Sequence, residues 1–273
     1  MRIAVVAPSS RFSKEAAERV TAIAAISHPD VALHFHPQCF LAHNHFAGTD
    51  DDRGHALVEV ANDPGFDAVW FARGGYGACR IAETAIGRMG KGARDKAWLG
   101  YSDAGFLLAG LDHAGFPHLA HGPMPQDAMR VDGEAAIGRA LDWLTKRSPE
   151  ALEPGLEPGR RHLAFNLAVL GQLLGTPLEP DFADRILLIE EVSEYMYAFD
   201  RAMFHVTGNL HVRRAAGLRL GRVSDVLPND PDFGEGEEEI VRRWCAGARI
   251  SYLGRADIGH DSANKVVPFG PLS

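Results

Sequence analysis

Hydrophobic positions in the first half of the chain form short continuous runs, and longer stretches with helical spacing separate these runs. The apolar runs lie within RIAVVAP at the start, VALHFHP (31–37), DAVWFA (67–72) and KAWLGYS (96–102). Helical spacing covers about 14–26, 52–62 and 104–113. Because such alternation builds βαβ units, the first half is predicted to form a parallel sheet with helices on both faces.

A segment rich in proline and glycine separates this half from the second. The stretch SPEALEPGLEPGRR (148–161) has no apolar periodicity, which is typical of a linker or a surface loop. We therefore predict an N-terminal domain over residues 1–147, a linker over 148–163 and a C-terminal domain over 164–273.

The second half mixes helical and strand-like segments less regularly. Helices are predicted over 167–174, 198–206 and 237–248, and strand-like runs over 185–192, 217–226 and 249–260. The predicted fold class is α/β: a flavodoxin- or Rossmann-like parallel-sheet domain, followed by a smaller mixed α/β domain. The strands of this second domain are expected to be less regularly parallel.

Ser102 stands where a predicted buried strand turns into a helix. Its neighbours Gly100 and Ala104 are small enough for a sharp turn, which would expose the hydroxyl and direct the N–H of Asp103 toward an oxyanion. This arrangement resembles a nucleophile elbow. The same residues also fit a serine that only caps the helix.

The glycine-rich segment RGGYG (73–77) follows another predicted buried strand. Its glycines permit positive φ and close approach of the backbone to a phosphate, a carboxylate or an oxyanion. The segment matches neither the dinucleotide fingerprint nor the phosphate loop of nucleotide-binding proteins. A nucleotide cofactor is therefore not expected.

A serine nucleophile needs a base and a group that orients the base. His260 follows a strand-like run, and Glu190 ends the apolar run 186–189, so both can project from strand ends. Spacing alone favours the simpler interpretations, a surface histidine for His260 and a solvated acidic cluster for Glu190, Glu191 and Glu194. Five other histidines are dense enough to suggest a metal site, namely His34, His36, His43, His45 and His55. None of them has the spacing of a helical zinc site, so no metal is expected.

The overall composition narrows the class of protein. The 273 residues carry a net charge of -8, which leaves no basic field for nucleic acid. Three cysteines without a CxxC pair argue against a disulfide framework. No signal peptide and no membrane-spanning run is found, so a cytoplasmic protein is expected.

Several segments, in the same order along the chain, resemble the LD-carboxypeptidase (muramoyl-tetrapeptide carboxypeptidase) family, whose sister branch holds the microcin C self-immunity peptidases. The matching segments are VVAPSS, FAGTDDDR, ARGGYGACRI, LGYSD, HGPM, NLAVLGQLLGTP, ILLIEEVSEYMYAFDR and GHDSANKVVPFG. This resemblance covers nearly the whole chain.

The resemblance implies a cytoplasmic serine peptidase that forms an acyl-enzyme and releases terminal D-Ala from peptidoglycan tetrapeptides. It implies Ser102 as nucleophile, His260 as base and Glu190 as the residue that orients the base, in a site between two domains. Adjacent Glu191 leaves open which glutamate meets the histidine. The family also implies a homodimer without a cofactor.

An oxyanion hole is implied as well, formed by the N–H groups of Asp103 and Gly75, with Gly74 and Tyr76 in the same loop. Two segments depart from the family pattern, Phe165-Asn166-Leu167 and Tyr195-Met196, and both could reshape the pocket wall.

Three other functions remain open from sequence. A microcin C-type hydrolase of an aminoacyl nucleotide would use an aromatic residue from the interdomain loop, and residues 148–161 contain none. A muropeptide sensor without activity could share the fold, although the intact Ser102, Glu190 and His260 argue against it. A flavodoxin- or NAD-type redox protein has only the βα pattern in its favour.

Overall fold

Five strands and five helices alternate in the first half of the chain. The computed structural model of the protein describes residues 1–271. The elements are β1 (Arg2–Val6), α1 (Lys14–Ser27), β2 (Ala32–Phe35), α2 (Asp50–Asn62), β3 (Ala68–Phe71), α3 (Ala78–Ile86), β4 (Ala97–Gly100), α4 (Gly105–His113), β5 (Leu119–His121) and α5 (Gly133–Lys146).

These strands form a parallel sheet in the order β5-β4-β3-β1-β2. Every residue of β3 and β4 is buried, because α1 and α5 cover one face of the sheet and α2, α3 and α4 the other. This explains the continuous apolar runs of the sequence. The predicted α/β class with helices on both faces is confirmed.

The second sheet and its crossovers consist of four strands and three helices. They are β6 (His162–Asn166), α6 (Leu167–Leu173), β7 (Ile186–Val192), α7 (Met196–Gly208), β8 (Gly217–Ser224), α8 (Glu237–Ala248) and β9 (Tyr252–Arg255). The sheet order is β6-β7-β8-β9, and every neighbouring pair is parallel.

The expectation of a less regularly parallel second sheet is therefore wrong. A helix lies between each pair of successive strands, and this crossover is what parallel pairing requires. Strand β6 was not predicted, because it directly follows the segment rich in proline and glycine. That segment is held against the second sheet by a salt bridge of 2.6 Å between buried Glu153 and Arg219.

The chain then returns to the first sheet. A two-residue strand, β10 (Val267–Pro268), pairs antiparallel with β5 at the sheet edge and also packs against β6. The loop that carries His260 lies between β9 and β10, and both ends of this loop are thereby fixed. Within residues 1–271, no helix has the length and apolar character needed to cross a membrane.

Candidate active site

Ser102 occupies a strained turn between β4 and α4. Its φ of 59° lies in the left-handed region, where side chains other than glycine are uncommon. A Cβ at Gly100 would come within 2.7 Å of the Phe71 ring and 3.2 Å of Ala104 Cβ, so the turn needs small residues at its base. The strand-to-helix elbow predicted from sequence is present.

Three side chains meet at this turn in a hydrogen-bonded row. The Oγ of Ser102 lies 3.0 Å from Nε2 of His260, and Nδ1 of His260 lies 2.7 Å from Oε2 of Glu190. Because an ionised carboxylate only accepts hydrogen bonds, Nδ1 carries the proton, and Nε2 faces the serine with its lone pair. The row joins the first sheet, β7 and the loop before β10.

The two adjacent glutamates of β7 point in different directions. Glu190 is fully buried and meets His260. Glu191 instead accepts hydrogen bonds from Asn166 Nδ2 (2.6 Å), the N–H of Ala168 (2.8 Å) and its own neighbour Val192 (2.8 Å). It therefore fixes the start of α6, while burial raises its pKa to about 7.

His260 is only 12% exposed, and its environment changes its basicity. Burial by itself would lower its pKa. The charge and hydrogen bond of Glu190, helped by the charge of Asp127, outweigh burial and raise the pKa above its ordinary value, while the charge of Arg130 opposes them. The imidazole is thus a stronger base than a free histidine.

The glycine-rich loop lies directly against Ser102. A Cβ at Gly74 would come within 2.7 Å of Ser102 Oγ and 3.2 Å of the Asp103 nitrogen. Gly75 has a φ of 105°, and its Cβ would meet Ser10 Oγ at 2.2 Å. Both positions therefore require glycine, and the loop brings its backbone beside the N–H of Asp103.

The side chain of Asp103 is turned away from the serine. It is buried and accepts hydrogen bonds from Ser9 Oγ and the N–H of Ala78. Burial raises its pKa, although these donors and Arg53 favour the charged form. Asp103 thus ties its own turn to the start of α3 and leaves its backbone N–H available.

A cavity of about 530 Å³ opens beside this turn, between the two halves of the chain. Tyr76, which is half exposed, and Phe106 line it from the first half. Val169 and Gln172 of α6 line it from the second half. The candidate site therefore has room for a peptide next to the serine.

Comparison with known proteins assigns both halves of the chain to one family. Residues 3–122 match the LD-carboxypeptidase N-terminal domain, and residues 161–272 match the LD-carboxypeptidase C-terminal domain. A protein of Synechocystis sp. named as a carboxypeptidase is 32% identical over 84% of this chain and 77% of its own. The chain belongs to the LD-carboxypeptidase family.

Solved structures agree with this membership at the level of the fold. The crystal structure of muramoyltetrapeptide carboxypeptidase from Oxalobacter formigenes matches with a TM-score of 0.81 and 21% identity, over 99% of this chain and 93% of that one. The microcin C7 self-immunity protein MccF matches with a TM-score of 0.79 and 17% identity, over 98% and 91%. The family resemblance seen in the sequence is confirmed, and the protein is a carboxypeptidase-class hydrolase.

Sequence reasoning missed the residues that support His260 in this LD-carboxypeptidase family member. The Tyr101 ring packs 4.9 Å from the His260 ring. Asn264 Oδ1 accepts a hydrogen bond from the N–H of Gly259 (3.2 Å) and lies 3.3 Å from His121 Nε2. His121 and Asn264 both stood in segments that carried the resemblance, HGPM and GHDSAN, but nothing there indicated a role.

His121 is fully buried beside Asn264, and this burial determines its charge state. Burial lowers its pKa to about 4, against the opposing charge of Glu190, so the ring is neutral near pH 7 and its Nε2 can donate to Asn264. Arg139 of α5 adds two hydrogen bonds, to the carbonyls of Ser262 (3.0 Å) and Asn264 (2.9 Å). Tyr101, His121 and Arg139 therefore hold the loop that carries His260 in place.

Two of the histidines singled out for their density lie outside the row of Ser102, His260 and Glu190. His45 Nε2 is 2.9 Å from Ser10 Oγ, and His36 approaches Glu59 at 3.5 Å on the surface. Across residues 1–271, no group of three or more His, Cys, Asp or Glu side chains could hold a metal ion.

Proposed function

We propose that this chain is a serine-type LD-carboxypeptidase whose catalytic triad is Ser102, His260 and Glu190. Its substrate would be a peptidoglycan tetrapeptide, cleaved at the bond between an L-configured centre and the terminal D-Ala. The observation that carries the proposal is the row of hydrogen bonds of 3.0 and 2.7 Å through His260. Its arrangement fits the general requirements of serine catalysis.

In the first half-reaction, Ser102 Oγ attacks the carbonyl carbon of the scissile bond as its proton moves to Nε2 of His260. Glu190 keeps Nδ1 protonated and stabilises the imidazolium that forms. The negative charge on the carbonyl oxygen would be held by the N–H groups of Asp103 and Gly75. When the C–N bond breaks, His260 returns the proton to the amine of D-Ala, which leaves.

In the second half-reaction, water replaces the leaving amine. His260 Nε2 takes a proton from that water as its oxygen attacks the ester carbonyl of the acyl-enzyme. The bond to Ser102 Oγ then breaks, and the serine regains its proton from His260. These steps use only side chains and backbone N–H groups of this chain, together with water.

The peptide substrate is supported by the cleft and by the relatives. The cavity beside Ser102 has walls from both halves of the chain, with apolar Phe106 and polar Gln172. The Oxalobacter structure of the same fold bears the name muramoyltetrapeptide carboxypeptidase. A cytoplasmic location and a homodimer also belong to this proposal, and light scattering of the purified protein tests the dimer.

The proposal is tested with the peptide L-Ala-γ-D-Glu-meso-diaminopimelate-D-Ala. We expect release of D-Ala by the wild type and none by Ser102→Ala. A peptide that ends in L-Ala serves as the matched substrate, and it should be cleaved far more slowly. Equal cleavage of both peptides would contradict an LD-carboxypeptidase, and no cleavage of either would contradict the proposed substrate class.

A microcin C-type amide hydrolase is the second candidate, and the similarity to MccF favours it. Against it, the interdomain segment 148–161 contains no aromatic residue that could stack on a base. Glutamyl sulfamoyl adenosine, which has the amide between an amino acid and a nucleoside, separates the two. Faster turnover of this compound than of the tetrapeptide would favour the second candidate.

A further inference from the structure

A carboxypeptidase must recognise the free carboxylate at the end of its substrate, and the chemistry fixes where that carboxylate lies. His260 returns a proton to the leaving amine, so this amine must come within hydrogen-bonding distance of Nε2. The carboxylate of an α-amino acid is one carbon away from its amine. A group that binds it therefore belongs on the His260 side of Ser102, away from the oxyanion loop.

Arg130 is connected to that side of the serine through Asp127 and Tyr101. It follows the short 3-10 helix Pro125–Met129, which begins soon after β5. Its Nε donates to Oδ1 of Asp127 (2.9 Å), and the same oxygen accepts the hydroxyl of Tyr101 (2.8 Å). Because the Tyr101 ring packs against His260, one residue and one carboxylate connect Arg130 to the catalytic base.

The guanidinium is held in a way that leaves its outer edge open. Asp127 is buried and is itself fixed by the N–H of Met124 (2.8 Å), so it is a rigid anchor for Nε. The Arg130 side chain is 42% exposed, and within residues 1–271 its Nη atoms make no hydrogen bond to a carboxylate or a backbone carbonyl. Two parallel N–H groups of this kind match the two oxygens of a carboxylate.

Other arginines near the site are engaged differently. Arg139 uses its Nη1 on the carbonyls of the loop that carries His260. Arg73 donates Nη1 to the carbonyl of Arg11 (2.9 Å), on the side of the oxyanion loop. The charge of Arg130 also opposes the rise in the pKa of His260.

We propose that Arg130 binds the terminal carboxylate of the residue that is released, through the Nη edge that Asp127 leaves free. This inference rests on the proposed function and adds the group that makes the enzyme select a free carboxyl terminus. Arg130 is a substrate-binding residue in this account, and Asp127 is a positioning residue for it.

The test compares two substrates, the tetrapeptide with a free D-Ala carboxylate and the same peptide ending in D-alaninamide, with the tripeptide product measured for both. The wild type should prefer the free acid by roughly 100-fold in kcat/KM. Arg130→Ala should lose about that factor on the acid and change little on the amide, because only the acid carries the group that Arg130 binds. Arg130→Lys keeps the charge but not the two parallel N–H groups. Its kcat/KM on the free acid should therefore lie between those of the wild type and Arg130→Ala.

The matched control is Arg242→Ala, which removes an exposed arginine that pairs with Glu238 on α8 (2.7 Å), and it should leave both rates unchanged. If a thermal midpoint shows that Arg130→Ala does not fold, Arg130→Lys and Arg130→Gln give the same comparison. If the folded variants keep the preference for the free acid, the role given to Arg130 is wrong, while the proposed function is unaffected. No cleavage of either peptide by the wild type would overturn the proposed function, and the assignment with it.

Discussion

Two serine–histidine pairs of nearly equal length lie beside the glycine-rich loop. Ser102 Oγ and His260 Nε2 are 3.0 Å apart, and Ser10 Oγ and His45 Nε2 are 2.9 Å apart. Of these two histidines, only His260 has a buried carboxylate on its other nitrogen. A hydrogen bond between serine and histidine is therefore common to both pairs, and the third residue distinguishes them.

The backbone separates the two pairs as well. Ser102 sits at a φ of 59° at the end of a central strand, and it is partly exposed. Ser10 is buried beside Gly75, and its partner His45 is exposed to solvent. The first arrangement is suited to attack on a substrate. The second is suited to holding the glycine-rich loop in place.

The largest expected effect comes from removing each hydroxyl in turn. Ser102→Ala should lower kcat for D-Ala release by about 10⁵-fold or more, because no nucleophile remains. Ser10→Ala should lower it by less than about 10-fold, through the loop alone. Circular dichroism should show both variants folded. A larger loss in Ser10→Ala than in Ser102→Ala would reverse the roles given to the two pairs.

Substitution of the adjacent residues Glu190 and Glu191 tests whether the carboxylate beside His260 distinguishes the two pairs. Glu190→Gln should lower kcat by about 10³- to 10⁴-fold, because an amide no longer selects the tautomer with a proton on Nδ1. Glu191→Gln should keep most activity and reduce the free energy of unfolding by about 1–2 kcal/mol, since it serves the start of α6. Equal effects on activity would contradict the division between them.

A substitution at Gly74 tests whether the glycine-rich loop lies against the reacting atoms. Gly74→Ala should lower kcat by about 10²- to 10³-fold, because its Cβ would displace Ser102 Oγ and crowd the Asp103 nitrogen. Gly138→Ala, where a Cβ meets nothing within 4 Å in α5, is the matched control and should keep full activity. Unchanged activity in Gly74→Ala would mean that the loop does not approach the reacting atoms.

The basicity of His260 predicts the pH dependence. The base acts only when neutral, so kcat/KM should rise with pH through its pKa, and the midpoint should lie above the ordinary value of 6.5. Because Glu190 raises that pKa, the residual activity of Glu190→Gln should rise at lower pH than the wild type. A midpoint that stays in place would indicate that another group controls the profile.

The smallest effect is expected from the support of the His260 loop. Asn264→Ala leaves the N–H of Gly259 and the ring of His121 without their shared acceptor, and should cost about 1–3 kcal/mol of unfolding free energy with roughly 10-fold in kcat. The matched control is Asn62→Ala at the exposed end of α2, which should leave kcat unchanged. Thermal melts measure the first effect and D-Ala release the second.

Much of the fold could be predicted because buried parallel strands leave continuous apolar runs, as in AVWF and AWLG. Strands β6 and β10 could not, since one follows prolines and glycines and the other has only two residues. The site residues Ser102, Glu190 and His260 followed from family resemblance, and spacing alone left each of them ambiguous. Tyr101 and Asn264 act through contacts across distant segments, which no local pattern reveals.

The central claim is that Ser102, rather than any other serine, attacks the substrate. Its most direct test is inactivation by a fluorophosphonate, followed by mass spectrometry of the labelled peptides. The account predicts that loss of D-Ala release parallels the attachment of a single label at Ser102, and that His260→Ala slows the labelling. Inactivation with the label on Ser10 or another serine, or full activity after Ser102 is labelled, would contradict it.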